Sequence, residues 1–189
     1  MSQGLFFTLL YVVTALVMLF QLRSLVQSSS ADYYNKLVQG LVTLTNPLVN
    51  IPVWRTMRMG SFFIAGMVVA LIISAVFWVL SALFLLQMPI FYSLIATIFL
   101  FIKALGYLVI GLLLAQALTS WLPATRELSY LFGEVTRPIV APVQRIIPPI
   151  GMIDISLMIV LIALYALNGL MYKVLAHTNL DLLILWRII

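Results

Sequence analysis

Apolar positions along this chain come in long unbroken runs, with short amphipathic stretches between them. Leu5 to Leu22 is almost wholly apolar and about the length of one membrane crossing. Gln21 and Arg23 mark its exit. Ser61 to Leu86 is a second run, and the link Gln87-Met88-Pro89 is short enough to predict a tight turn. Ile90 to Leu122 follows, 33 residues long. As one helix it measures about 50 Å, more than the roughly 30 Å hydrocarbon core, so it must tilt, protrude or begin irregularly. Trp121 and Pro123 close it, and Ile155 to Val174 is a fourth run.

The stretches between have a different rhythm. Gln27 to Ser30 reads as a polar turn, and Asp32 as the N-cap of a short helix over Tyr33 to Thr45. Tyr34, Leu37, Val38, Leu41 and Leu44 fall near one face of it, opposite Asn35, Lys36, Gln39 and Thr43. That segment is too short to span and suits the head-group layer. Pro47 and Pro52 are expected to end it, since proline cannot continue the backbone ladder. Trp54, Arg55 and Arg58 then fit an interfacial position. Thr125 to Thr136 repeats the pattern, with Leu128, Leu131, Phe132 and Val135 on one face. Asp154 or Ser156 is placed to cap the fourth span. His177 to Asn179 reads as a turn before a short apolar tail, Leu180 to Ile189, expected at the interface.

Composition narrows the class. The chain is 65% hydrophobic and 8% charged, where a soluble domain carries roughly 25% charged residues. The solvent of this fold is therefore lipid. The start, MSQGLFFTLLYVV, has no basic leader region, so it is expected to be a span rather than a cleaved signal. Cysteine is absent and His177 is the only histidine, so no metal centre or cofactor is expected. The net charge of +5 points to topology and anionic lipid head groups rather than to nucleic acid.

The chain matches itself at an offset of 91 residues, with Leu37 on Leu128, Thr45 on Thr136, Pro47 on Pro138 and Val49 on Val140. After a one-residue slip, Pro52 meets Pro142 and Arg55 meets Arg145. The expected fold is all-α integral membrane: four transmembrane helices in two parallel repeats of span, amphipathic surface helix, Pro/Arg segment and span. The units are residues 1–88 and 89–176, with 177–189 as the tail. Arg23, Lys36, Arg55, Arg58, Arg126, Arg137 and Arg145 fall in the two long loops. These are expected to be cytoplasmic, with both termini outside.

Several stretches resemble the YggT family of small bacterial membrane proteins, whose plastid relatives include the YlmG-type proteins. They are Ala-Asp-Tyr-Tyr-Asn at 31–35, Thr-Asn-Pro-Leu at 45–48, Ser-Trp at 120–121 and Arg-Pro-Ile-Val-Ala-Pro-Val-Gln-Arg-Ile-Ile-Pro at 137–148. Gly-Met-Ile-Asp-Ile-Ser at 151–156 and the Ile-Lys-Ala-Leu-Gly context of Lys103 add to the likeness. The first copy departs from the pattern, because no Asp follows Arg58. The resemblance implies a bacterial inner membrane, hence periplasmic termini, and links to osmotic tolerance and ion homeostasis in bacteria. In plastids it implies links to nucleoid distribution, division and cytochrome assembly. It implies no enzymatic activity.

The residues offer few sites for chemistry. Arg55, Arg58, Arg137 and Arg145 are candidate contacts for lipid phosphate or a partner, since the guanidinium fork bonds two oxygens at once. Arg145 has Asp154 as an alternative partner. Asp32, Pro47, Pro52, Pro138, Pro142, Pro148 and Asp154 are read as structural motif positions, Asp154 as a helix N-cap. Lys103, about 20 Å along its helix from Ile90, is an intramembrane charge and so a functional candidate. Snorkelling, pairing with Asn168 and a place in an ion path all remain open for it. His177 reads as a plain interfacial histidine, and Trp78, Phe84 and Tyr107 as packing or lipid-facing residues. Gly106 and Gly111 are not spaced as a helix-dimer motif. No spacing pairs a nucleophile with a base, so no catalytic residue is assigned. The expected function is a non-enzymatic scaffold or assembly factor in a larger membrane complex, as a homo-oligomer or with an unidentified membrane protein. The alternative is an oligomeric channel or transporter component.

Overall fold

The computed structural model describes residues 3–54, 56–146 and 155–189. Arg55, Pro148 and Asp154 lie outside the described residues, and so do the structural expectations placed on them. Among the described residues, seven α-helices run in the order α1 (Gln3–Ser28), α2 (Lys36–Val49), α3 (Ala65–Ser81), α4 (Ile90–Ser120), α5 (Arg126–Ile146), α6 (Ile155–Thr178) and α7 (Leu180–Ile188). Among the described residues, α1, α3 with its extension, α4 and α6 are long and apolar enough to cross a membrane. An all-α membrane fold is what such runs produce, because only helices satisfy every backbone group inside one segment of lipid-exposed chain.

The spans differ from expectation at their ends. α1 does not exit at Gln21 and Arg23 but continues to Ser28, burying both side chains. The second span starts at Ala65, because Arg58–Met59 (β1) and Phe62–Phe63 (β2) pair antiparallel as a short hairpin. Gly60 turns that hairpin at φ 62°, a left-handed value that glycine adopts without a steric penalty. After α3 the chain widens into a π-turn over Ala82–Leu86, and Gln87 reverses it at φ 47°. That reversal is the tight turn the short link required.

The surface helices hold the main correction. Pro47 does not end α2, and Pro138 and Pro142 do not end α5; all three lie inside their helices. Each proline removes one ladder bond and leaves the carbonyl four residues earlier without its usual donor. All three sit on the exposed face of the helix, where a freed carbonyl can be solvated. The buried faces carry Val38, Leu41, Thr45 and Val49 in α2, and Leu131, Val135, Thr136 and Val140 in α5. Of the apolar face read for α2, Val38 and Leu41 pack on the bundle, while Tyr34, Leu37 and Leu44 are exposed. Pro52 lies in the turn after α2. Asp32 does not cap that helix. Asn35 does, its Oδ1 accepting from the Leu37 amide at 2.9 Å, while Asp32 Oδ1 accepts from the Tyr34 amide in the preceding turn.

Four apolar clusters hold the molecule together. Val17, Phe20, Val69, Ala70 and Ala104 join α1, α3 and α4. Leu25, Val26, Val38, Leu41, Leu112, Leu131 and Val135 join the end of α1 to α2, α4 and α5. Val109, Leu113, Val140, Leu157 and Val160 attach α6. At the opposite end Leu10, Trp78, Phe99, Leu100 and Leu175 surround Leu185 and Trp186 of α7. The segment read as an interfacial tail is thus a helix that buries two side chains in the bundle.

Candidate functional site

Lys103 sits on α4 with its side chain buried in the bundle. Its Nζ donates to the carbonyl of Trp186 at 2.5 Å. The same ammonium lies 4.7 Å from the centre of the Trp186 ring and 5.7 Å from that of Tyr172. Trp186 Nε1 donates to Asn168 Oδ1 at 3.2 Å, and the Trp186 ring meets Phe99 edge-on at 5.0 Å. Of the readings left open for Lys103, direct pairing with Asn168 is not formed: Trp186 stands between them and bonds both.

The local sequence explains how α7 arrives there. Asn179 caps it, with Oδ1 accepting from the amides of Asp181 and Leu182. Tyr92, near the start of α4, donates its hydroxyl to Asp181 Oδ2 at 3.2 Å. The first turn of α7 is thus level with Tyr92, and its last turn is level with Lys103. The helix runs inward alongside α4. A helix ends with carbonyls that have no intrahelical donor and carry partial negative charge. Trp186 supplies one of them, and Lys103 caps it. The ammonium is held by a carbonyl and two ring faces, each of which favours a cation. These contacts give the ammonium partners within the bundle itself.

A second set of polar contacts ties the spans together, and sequence reasoning missed it. Gln21 Nε2 donates to the carbonyl of Phe101 at 2.8 Å, joining α1 to α4. Ser24 Oγ accepts from the Met67 amide at 3.0 Å, and Ser28 Oγ accepts from the Phe63 amide at 2.8 Å. Ser74 Oγ donates to the carbonyl of Thr97 at 3.0 Å. Gly66 allows the crossing of α1 and α3, because a Cβ there would lie 2.3 Å from the Phe20 carbonyl oxygen. Small residues and side-chain bonds of this kind are how helices associate in lipid. The signal was available, since Gln21, Ser24 and Ser28 recur at helical spacing.

Among the described residues, the predicted arginines Arg58, Arg137 and Arg145 each have separate surroundings. Arg58 stands 6.0 Å over the Phe63 ring. Arg137 pairs with Glu134 on α5 at 3.3 Å, and Arg145 is exposed in the last turn of α5. Trp78 is buried, while Phe84 and Tyr107 are exposed to the surroundings of the bundle.

A bundle of four spans, two amphipathic helices on one end and an inward-running α7 at the other, defines a small all-α integral membrane protein. The CCB3/YggT family model matches residues 95–175, from α4 into α6. "Uncharacterized protein YggT" of Escherichia coli (strain K12) is 31% identical over 175 residues, covering 92% of each chain. An "Uncharacterized protein in proC 3'region" of Vibrio alginolyticus is 32% identical over 160 residues, covering 82% of this chain and 86% of the relative. An "Uncharacterized protein" of Haemophilus influenzae is 26% identical over 165 residues, covering 86% and 87% respectively. The chain belongs to the YggT family. No solved structure matches it.

Proposed function

We propose that this protein is a non-enzymatic scaffold or assembly factor within a larger complex of the bacterial inner membrane, and that this complex supports osmotic and ion homeostasis. The observation that carries the scaffold reading is the shared packing of α2 and α5. Their buried faces meet in one apolar cluster with the end of α1, through Val26, Val38, Leu41, Leu131 and Val135. Two amphipathic helices locked to one support form a firm platform, and their outer faces stay open, with Leu44 and Ile146 exposed. The homeostasis part comes from the family resemblance. Anionic lipid at Arg58, Arg137 and Arg145, and a partner that is a second copy or another membrane protein, complete the reading.

The other reading, an oligomeric channel or transporter component, is favoured by one observation, the buried charge of Lys103. Against it, that ammonium is already engaged by the end of α7. Potassium flux into liposomes holding the purified protein separates the two. The scaffold reading expects no flux above empty liposomes. It also expects photo-crosslinkers at positions 44 and 146 to give discrete protein adducts in native membranes. Flux that Lys103→Met abolishes would overturn it, as would adducts to lipid alone.

A further inference from the structure

Lys36 and Arg126 open α2 and α5, and both line one cleft of about 810 Å³ together with Asp32 and Glu127. Two cations and two carboxylates here face a common space without neutralising one another: among the described residues the ion pair formed is Arg137 with Glu134. Tyr34 and Tyr130 add exposed ring faces to the same cleft. Leu131, also in its wall, packs in one cluster with Val26 of α1. The cleft's own four charges are balanced.

We propose that this cleft binds the headgroup of a membrane phospholipid carrying both a phosphate and a primary ammonium, a phosphoethanolamine headgroup. The phosphate matches Lys36 and Arg126. The ammonium matches Asp32 and Glu127 through N–H bonds and the tyrosine faces through their negative quadrupole. The volume lies within the roughly 300–1,000 Å³ range of small-ligand sites. The position fits as well, since the cleft opens at the first turns of two amphipathic helices, the kind that lies among lipid head groups. A quaternary ammonium cannot donate N–H bonds to the carboxylates, and a glycerol headgroup has no cation for them. The cleft thus selects by charge of both signs, and this does not depend on the scaffold reading.

Native mass spectrometry of the full chain tests the assignment, with phosphatidylethanolamine, phosphatidylcholine and phosphatidylglycerol supplied equally in the micelle. Phosphatidylethanolamine should be retained about tenfold over the other two, the equivalent of one charge-assisted contact. Lys36→Gln with Arg126→Gln should lower its retention by a similar factor. Asp32→Asn with Glu127→Gln should leave binding but remove the preference. Should either pair elute as aggregate, Arg126→Gln or Glu127→Gln alone replaces it. Equal retention of the three lipids by the unmodified chain overturns the proposal. Enrichment of phosphatidylglycerol alone, or a preference that survives loss of both carboxylates, overturns it too. Displacement of the lipid by equal concentrations of free O-phosphoethanolamine would assign the site to a soluble ligand and sink the lipid assignment.

Discussion

The Lys103 ammonium and the Trp186 carbonyl, 83 positions apart in the chain, meet at 2.5 Å inside the bundle. This bond joins the middle of one span to the inner end of a helix that does not itself cross. It gives the buried end of α7 a donor that apolar surroundings cannot supply. Lys103→Met keeps the length of the side chain and removes the donor. It should leave the four spans in place and loosen α7. An unpartnered buried carbonyl costs about 1–3 kcal/mol, enough to open the junction measurably. Leu185→Cys, buried in the unmodified chain, should react slowly with a maleimide there and several-fold faster beside Lys103→Met. Equal rates would show that apolar packing alone holds α7.

Gly66 sets how closely α1 and α3 approach. An added Cβ would lie 2.3 Å from the Phe20 carbonyl oxygen and 2.5 Å from Ser24 Oγ. Backbone must move, and the Ser24 bond to the Met67 amide goes with it. Gly66→Ala should destabilise the protein by about 1–3 kcal/mol, the usual cost of overpacking. Gly111 has open space around it, so Gly111→Ala should leave the melting temperature in detergent unchanged or raise it. If Gly66→Ala melts no lower than Gly111→Ala, the crossing is not as close as described.

The spans were legible because twenty or so apolar residues in a row leave few alternatives to a membrane helix. What failed were the places where local chemistry and packing disagree. Arg23 and Gln21 look like the end of a span, yet α1 continues for another turn and more, because Leu25 and Val26 have a cluster to join. Packing likewise keeps α2 and α5 helical past their first prolines, where Val49 joins the α1, α3 and α4 cluster and Val140 the cluster that attaches α6. Lys103 stood out as a buried charge, but its acceptor is a backbone carbonyl. Backbone carries no residue-specific signal, so no pattern of side chains could have named Trp186.

Pro142 offers a test of that override. It lies on the exposed side of α5, and its ring takes a ladder bond from the carbonyl of Pro138. Ala at that position restores the donor, and in a helix interior it is favoured over proline by about 3 kcal/mol at most. Pro142→Ala should therefore raise the melting temperature by a few degrees. A fall would mean that the bend itself fits α5 to α4 and α6, and that the proline is kept for shape.

The arrangement of charge predicts which way the bundle sits. Lys36, Arg58, Arg126, Arg137 and Arg145 all belong to the end of the molecule that carries α2 and α5, while α7 and the turn at Gln87 occupy the other end. Basic residues are retained on the cytoplasmic side of a bacterial membrane, so the platform should face the cytoplasm and α7 the periplasm. Tyr130 and His177 are exposed and report on the two ends. Tyr130→Cys should be labelled by a membrane-impermeant maleimide only in inverted vesicles, and His177→Cys only in intact cells with a permeabilised outer membrane. Labelling at both positions from both sides would indicate two orientations in one membrane. Since Glu127 and Glu134 share the platform with the arginines, removing them should leave the labelling pattern unchanged, because acidic residues contribute little to the orientation rule.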